Sequence, residues 1–304
     1  MDWLWLALIP PFLFALSNRI DKYLIDGYFK GETGALILFS SFISLLTLPV
    51  IYLIHPAVFS ISLFYALVMI FVGFIYILYM FPYFWALKLD EASKVVPIFQ
   101  SIPVFGVILS FLILGESLSG LQLVAGALIV FGAFGLSTNF ISRKLHFNKK
   151  VLAYMLFASF LIALSYVILK YVAVQTDFFT TLFWEQIGFF LFGLLLLLKK
   201  QYREQFFAVF KKNSGKVLGL NIFNEIINIL AAFLFSFVTL LAPLGLVSIV
   251  NGFQPFFILS IGVLITLFAP WLGKENISKQ SILQKALFIG IMVIGAILLS
   301  QSGI

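Results

Sequence analysis

Cysteine is absent, histidine occurs only twice, and just 10% of the 304 residues are charged. Without cysteine there are no disulfides, no thiolate metal sites and no cysteine nucleophile. His55 and His146 both fall between apolar runs, and two imidazoles do not supply the ligand set of a zinc or haem site. No metal or cofactor is expected. The chain also lacks a His-x-x-x-His, a Gly-x-Ser-x-Gly and a Gly-x-x-x-x-Gly-Lys pattern. No enzyme chemistry is therefore expected, and no ATP-driven transport.

The scarcity of charge excludes more. A soluble domain carries about 25% charged and about 45–50% apolar residues. Here 62% are hydrophobic and 38 are Phe. A soluble body of this size could not cover itself with so few charges. Disorder, collagen and coiled coil fail on the same numbers. What remains is an all-α polytopic membrane protein.

Apolar runs predict ten transmembrane helices near residues 3–24, 34–54, 63–87, 95–114, 120–139, 151–172, 178–198, 217–240, 244–268 and 282–300, numbered spans 1 to 10. Helices are required because an open strand edge cannot be satisfied in lipid. The runs are solidly apolar rather than alternating, which argues against a barrel. Met1-Asp2 offers no basic leader before the first run, so that run is not read as a cleaved signal.

The charge of +7 would suggest nucleic acid in a soluble protein. Its distribution says otherwise. Sixteen Lys and Arg lie in or beside the loops between spans 1–2, 3–4, 5–6, 7–8 and 9–10; the opposite loops and both termini carry none. The positive-inside rule makes the basic loops cytoplasmic and puts both termini outside. No nucleic-acid partner is expected.

The chain repeats itself. Ala15-Leu16-Ser17-x-x-Ile20-x-Lys22-Tyr23 recurs as Ala163-Leu164-Ser165-x-x-Ile168-x-Lys170-Tyr171, six identities in nine positions at an offset of 148. Val95 through Pro103 aligns with Val247 through Pro255, and Gly132-Ala133 with Gly295-Ala296. The organisation read from this is a first five-helix repeat at 1–141, a basic linker at 142–150 and a second five-helix repeat at 151–304. An odd number of spans per copy inverts the second relative to the first. Inverted repeats around a midplane site are a recurring transporter plan.

Ala86-Leu87, Ala92-Ser93, Pro97, Pro103, Leu114-Gly115-Glu116 and the glycines at 126 and 132, echoed by Gln254-Pro255, Leu272-Gly273-Lys274-Glu275, Gly290 and Gly295, resemble the EamA-type members of the drug/metabolite transporter superfamily. That resemblance implies ten helices around a central cavity and carriage of small metabolites, commonly outward export of amino acids or related compounds. Members commonly keep both termini in the cytoplasm, the reverse of what the charge count assigns here. The second copy departs from the pattern with Ala269-Pro270-Trp271 and a lysine before its glutamate.

Intramembrane polar groups are functional candidates because they are costly there. Span 8 carries Asn221, Asn224, Glu225 and Asn228, which share one helical stripe. The stripe either lines a cavity or joins helices by hydrogen bonds. Glu185 on span 7 lies at a comparable depth. Each carboxyl is a candidate proton carrier or a salt-bridge partner of Arg19, Lys22 or Lys170. Those three bases lie near span ends, where snorkelling to the interface is expected. Prolines in spans 4 and 9 free backbone carbonyls, and Gln100, Asn251 and Gln254 beside them offer neutral hydrogen bonds to a polar substrate. Gly245, Ser248 and Gly252 on span 9, like Gly126 on span 5, read as close-packing positions.

The function read from the sequence is a secondary transporter of a small metabolite working by alternating access. A flippase for a lipid-linked intermediate is the alternative. The expected setting is a bacterial or archaeal cytoplasmic membrane, with membrane lipid and a small-molecule substrate as partners, in a monomer or homodimer.

Overall fold

The computed structural model describes residues 2–27, 33–90, 95–138, 148–212, 215–268 and 279–302. These form helices joined by short turns, with no strand among the described residues. Ten stretches are long and apolar enough to cross a membrane: Trp3–Asp21, Gly34–Ile54, Leu63–Leu89, Val96–Leu114, Gly120–Ser137, Lys149–Gln175, Phe178–Leu197, Gly215–Leu241, Leu244–Phe268 and Gln280–Gln301. They fall where the apolar runs predict spans 1 to 10. The proposed linker lies almost wholly outside the described residues, and Lys149 and Lys150 already belong to the span 6 helix.

Local signals set several helix starts. Ser62 accepts from the Tyr65 N–H before span 3. Ser119 and Gln122 exchange bonds as a capping box before span 5. Asp177 accepts from the Thr180 N–H, 2.9 Å away, at the start of span 7. Span 4 closes on Gly115, whose φ of 69° is open to glycine without a side-chain clash.

Spans 4 and 9 are interrupted. Span 4 runs as a tight turn at Val96–Ser101, an α-helix at Ile102–Leu109 and a wide turn at Ser110–Leu114. Span 9 breaks between Leu244–Asn251 and Gln254–Phe268. Pro97, Pro103 and Pro255 each lack the N–H that would continue the ladder. The two broken spans cross closely. A Cβ on Gly106 would stand 2.7 Å from Ser248 Oγ, and one on Gly245 would meet Val107 and Ser110. The small residues of span 9 thus serve close packing, as does Gly126, which faces Ile249.

The principal pairings cross between the halves. Spans 2 and 7, 4 and 9, and 5 and 10 pack together; span 1 lies against spans 8 and 9, and span 6 against spans 3 and 4. Exchanging the first five spans for the last five returns these same pairings. Spans 3 and 7 depart from the exchange. They pack far more extensively than their counterparts, spans 8 and 2.

Ala7, Ala242, Leu244 and Leu299 share one core cluster. The start of span 1 and the end of span 10 therefore lie at the end of the bundle that holds the turn between spans 8 and 9. Large apolar side chains such as Leu53, Phe64, Leu112 and Phe268 cover the outside of the bundle, as a lipid-facing surface requires.

The loop between spans 7 and 8 contains a further helix, Lys200–Lys212. Tyr202 and Phe206 anchor it on span 2 and span 3 through Phe39, Phe42 and Phe81. It sits between spans 7 and 8, at the end of the bundle where span 3 closes with Lys88 and span 6 opens with Lys149.

Candidate substrate site

The polar stripe of span 8 turns inward. Asn221, Asn224 and Glu225 are buried, while Ile222, Phe223, Ile226 and Leu230 are exposed on the lipid side. Asn228 is half-buried one turn further on. The partners come from the first half of the chain. Asn224 Nδ2 donates to Asp21 of span 1 at 2.6 Å. Glu225 accepts from Ser40 of span 2 at 2.8 Å.

Glu185 of span 7 is also buried. A close approach of spans 7 and 3 holds it. A Cβ on Gly188 would sit 2.3 Å from the Ile70 carbonyl oxygen, and one on Gly73 would sit 2.5 Å from that of Glu185. Only glycine fits either place. Trp184 fixes the same turn by donating to the Val58 carbonyl at 2.8 Å. The neighbouring Gln186 accepts from Thr47 of span 2 at 3.2 Å.

Span 3 presents Tyr76, Tyr79 and Tyr83 to the interior. Tyr76 stacks on Phe189 of span 7, with ring centres 5.2 Å apart, and meets Tyr166 of span 6 edge-on at 6.0 Å. Tyr79 and Tyr83 both contact Phe99 of span 4. Tyr76 lies within electrostatic range of Glu185 and Glu225, and Tyr79 within range of Asp21 and Glu225. These tyrosines are only half-buried. Their contacts are with spans 4, 6 and 7, so the accessible part of each ring opens toward the interior of the bundle rather than the lipid.

Glu185, Asn224 and Glu225 are thus brought to one interior region, with Asn221 beside them on the same stripe. Gln100, Asn251 and Gln254 lie on the broken spans 4 and 9, close to the breaks. Gln100 faces Gly252 there, and Asn251 Oδ1 is buried with no hydrogen-bond partner among the described residues. Phe99, next to Gln100, touches the tyrosine face.

Two expectations are corrected. Lys170 does not snorkel: it is 8% exposed, donates to the Ala242 carbonyl at 2.9 Å and pairs with Glu116. It has therefore no share in neutralising Glu185 or Glu225. Arg19 does not simply reach for the interface either, since its guanidinium donates to the Ile258 carbonyl of span 9 at 2.7 Å. The Lys22 side chain lies outside the described residues. Asp21 lies near the end of the apolar run at 3–24, but the helix continues to Gly27, which carries Asp21 inside. The tyrosine face had a legible signal, because positions 76, 79 and 83 follow the i, i+3, i+7 spacing of one helix face.

A second feature opens sideways. A crevice of about 650 Å³ lies between spans 4, 5 and 6, lined by residues including Val104, Val107, Gly126, Val130 and Leu156, with Gln100 and Ser101 among its few polar groups.

The fold and its interior define a ten-span helical membrane protein with a polar, acid-bearing centre. Residues 1–138, the first five spans, match the EamA-like transporter family. That match spans the first five of the ten spans and is consistent with the drug/metabolite transporter superfamily; members of the matched family are membrane transporters of small solutes rather than enzymes. No curated protein matches the sequence. A solved structure titled "Crystal structure of protein" aligns with 99% of this chain and 98% of its own, at 14% identity and a TM-score of 0.68. That likeness concerns the fold alone.

Proposed function

We propose that the protein is a secondary transporter that carries a small metabolite, of the amino-acid type or related to it, outward across a bacterial or archaeal cytoplasmic membrane by alternating access between two inverted five-span repeats. The convergence of Asp21, Glu185 and Glu225 from spans 1, 7 and 8 on one interior region carries the reading. Carboxyl groups at that depth are costly and mark a solute or proton path. The exchangeable pairings between the halves support the repeat, because two equivalent packings supply two access states. The extensive contact of spans 3 and 7, beside the lighter contact of spans 2 and 8, fits a carrier resting in one of those states. Gln100, Asn251 and Gln254, with Asn221, Asn224 and Asn228, supply neutral hydrogen bonds to the same cargo.

The test is counterflow. Purified protein in proteoliposomes preloaded with unlabelled amino acids, nucleosides, sugars or amines should accumulate the matching labelled solute transiently. Absence of counterflow for every class would overturn the reading. The flippase alternative is favoured by one observation, the apolar crevice open between spans 4, 5 and 6. A short-chain labelled lipid exchanging leaflets in the same vesicles, with no solute counterflow, would establish it instead.

A further inference from the structure

The interior cluster joins two acids to buried amide and hydroxyl groups that have no partner among the described residues. Asp21 receives the Asn224 amide and Glu225 receives the Ser40 hydroxyl, which leaves one oxygen of each carboxyl without a partner among the described residues. Asn224 Oδ1 is buried without a partner among the described residues, although the other end of the same amide rests on Asp21. Both amide atoms of Asn221, one turn away, are equally unpartnered, as is the hydroxyl of Ser17, one turn from Asp21 on span 1. Asn221 is 1% exposed and Asn224 and Ser17 are 0% exposed. Buried polar atoms are almost always satisfied, so the orphaned amide oxygens of Asn221 and Asn224 around two acids mark a place for something that donates, with Asn221 Nδ2 left to donate beside them.

The chemistry of the donor follows. A primary ammonium offers three donors and no acceptor. It matches open carboxyl and amide oxygens and balances their charge. An anion would face Asp21 and Glu225 at close range, and a neutral solute would bring them no charge of opposite sign. The rings add a second preference. Tyr76, Tyr79 and Tyr83 look onto the region of these acids from span 3, and aromatic faces attract cations. Phe189 and Phe99, in contact with those tyrosines, provide an apolar wall for the rest of the molecule.

Resting on the carrier reading of the same region, we propose that this cluster is an ammonium site and that the cargo is a small organic amine with an aromatic or apolar body. The amine sits between Asp21, Asn224 and Glu225, with its body toward the tyrosine face.

A charge series on one scaffold tests it. The full-length protein in detergent is melted with phenethylamine, 2-phenylethanol or phenylacetate, which share a phenyl body and differ in charge. Phenethylamine should raise the melting temperature in a concentration-dependent way, since a ligand that binds only the folded state stabilises it. The alcohol and the acid should not. Glu225→Gln and Asn221→Ala should weaken the phenethylamine response, Glu225→Gln by about thirty-fold or more, the scale for losing one partner of a buried charge pair. The series on the unaltered protein stands even where a variant does not fold. Equal or greater stabilisation by phenylacetate would overturn the proposal, as would full phenethylamine affinity in both variants. Counterflow of another solute, with no binding of or competition by phenethylamine, would remove the ammonium site and leave the carrier. Phenethylamine binding that obeys the series, with no counterflow of any solute, would keep the site and remove the carrier.

Discussion

Lys170 of span 6 pairs with Glu116, in the turn between spans 4 and 5. The same ammonium donates to the Ala242 carbonyl at 2.9 Å, and the other Glu116 oxygen accepts the Leu244 N–H at 2.7 Å. Three separate parts of the bundle, the end of span 4, span 6 and the turn into span 9, are thus held at one end by a single ion pair. Its side chains are 10% and 16% exposed.

Removing one partner of so enclosed a pair leaves a buried charge. Lys170→Met is expected to cost about 3–5 kcal/mol, while removing both charges together costs much less. Melting of Lys170→Met, Glu116→Gln and the double variant in detergent checks this. Glutamine keeps an acceptor for the Leu244 N–H, so the double variant should melt above Lys170→Met. Additive losses would show that the pair contributes nothing as a pair.

The two deep glutamates separate coupling from binding. Glu225→Gln keeps the acceptor for Ser40 and removes the titrating proton. If the carboxyl carries protons, transport driven by a pH gradient should fall to background for whichever solute gives counterflow, while solute exchange persists at concentrations raised enough to offset the weaker binding expected of Glu225→Gln. Glu185→Gln is expected to behave alike. Unchanged gradient-driven uptake in both variants would end the carboxyl mechanism and leave the amides of spans 4, 8 and 9 as the working groups.

Glycine contacts between spans 3 and 7 place Glu185. Gly188→Ala would push a methyl into the Ile70 carbonyl region, and overpacking of this kind costs about 1–3 kcal/mol. Gly219→Ala on span 8 meets nothing within 4 Å and is expected to be neutral or to stabilise by up to about 1 kcal/mol. Thermal unfolding of the two variants should move in opposite directions or differ plainly in size. Matching melting temperatures would mean that the spans slide apart without penalty.

Orientation rests on the loop lysines. Gln201, on the Lys200–Lys212 helix, and Ser117, in the turn between spans 4 and 5, are both exposed. In this cysteine-free chain each accepts a single Cys. An impermeant thiol reagent added to whole cells should label Ser117→Cys and spare Gln201→Cys. The reverse pattern would turn the molecule over in the membrane and leave the fold untouched.

The sequence by itself determined the ten spans, because each apolar run must match the thickness of the hydrocarbon layer and each polar break must leave it. It also determined that Asn221, Asn224 and Glu225 share a stripe, since helical spacing alone puts them on one side. The helix at Lys200–Lys212 lies in what the sequence reads as a basic loop; its signal is the spacing of Tyr202, Phe206 and Val209 on one helical face. Hydropathy, however, reports depth and not neighbours. That Asn224 would meet Asp21, 203 positions away, was decided only when span 1 packed on span 8. Lys170 and Lys22 occupy equivalent places in the repeat, and nothing local sends Lys170 to Glu116. The tertiary structure decided these partners, because close approach at residues such as Gly73 and Gly188 sets the rotation of each helix about its own axis. That rotation turns a stripe either toward lipid, where unsatisfied polar groups are costly, or toward the acids and tyrosines of the interior.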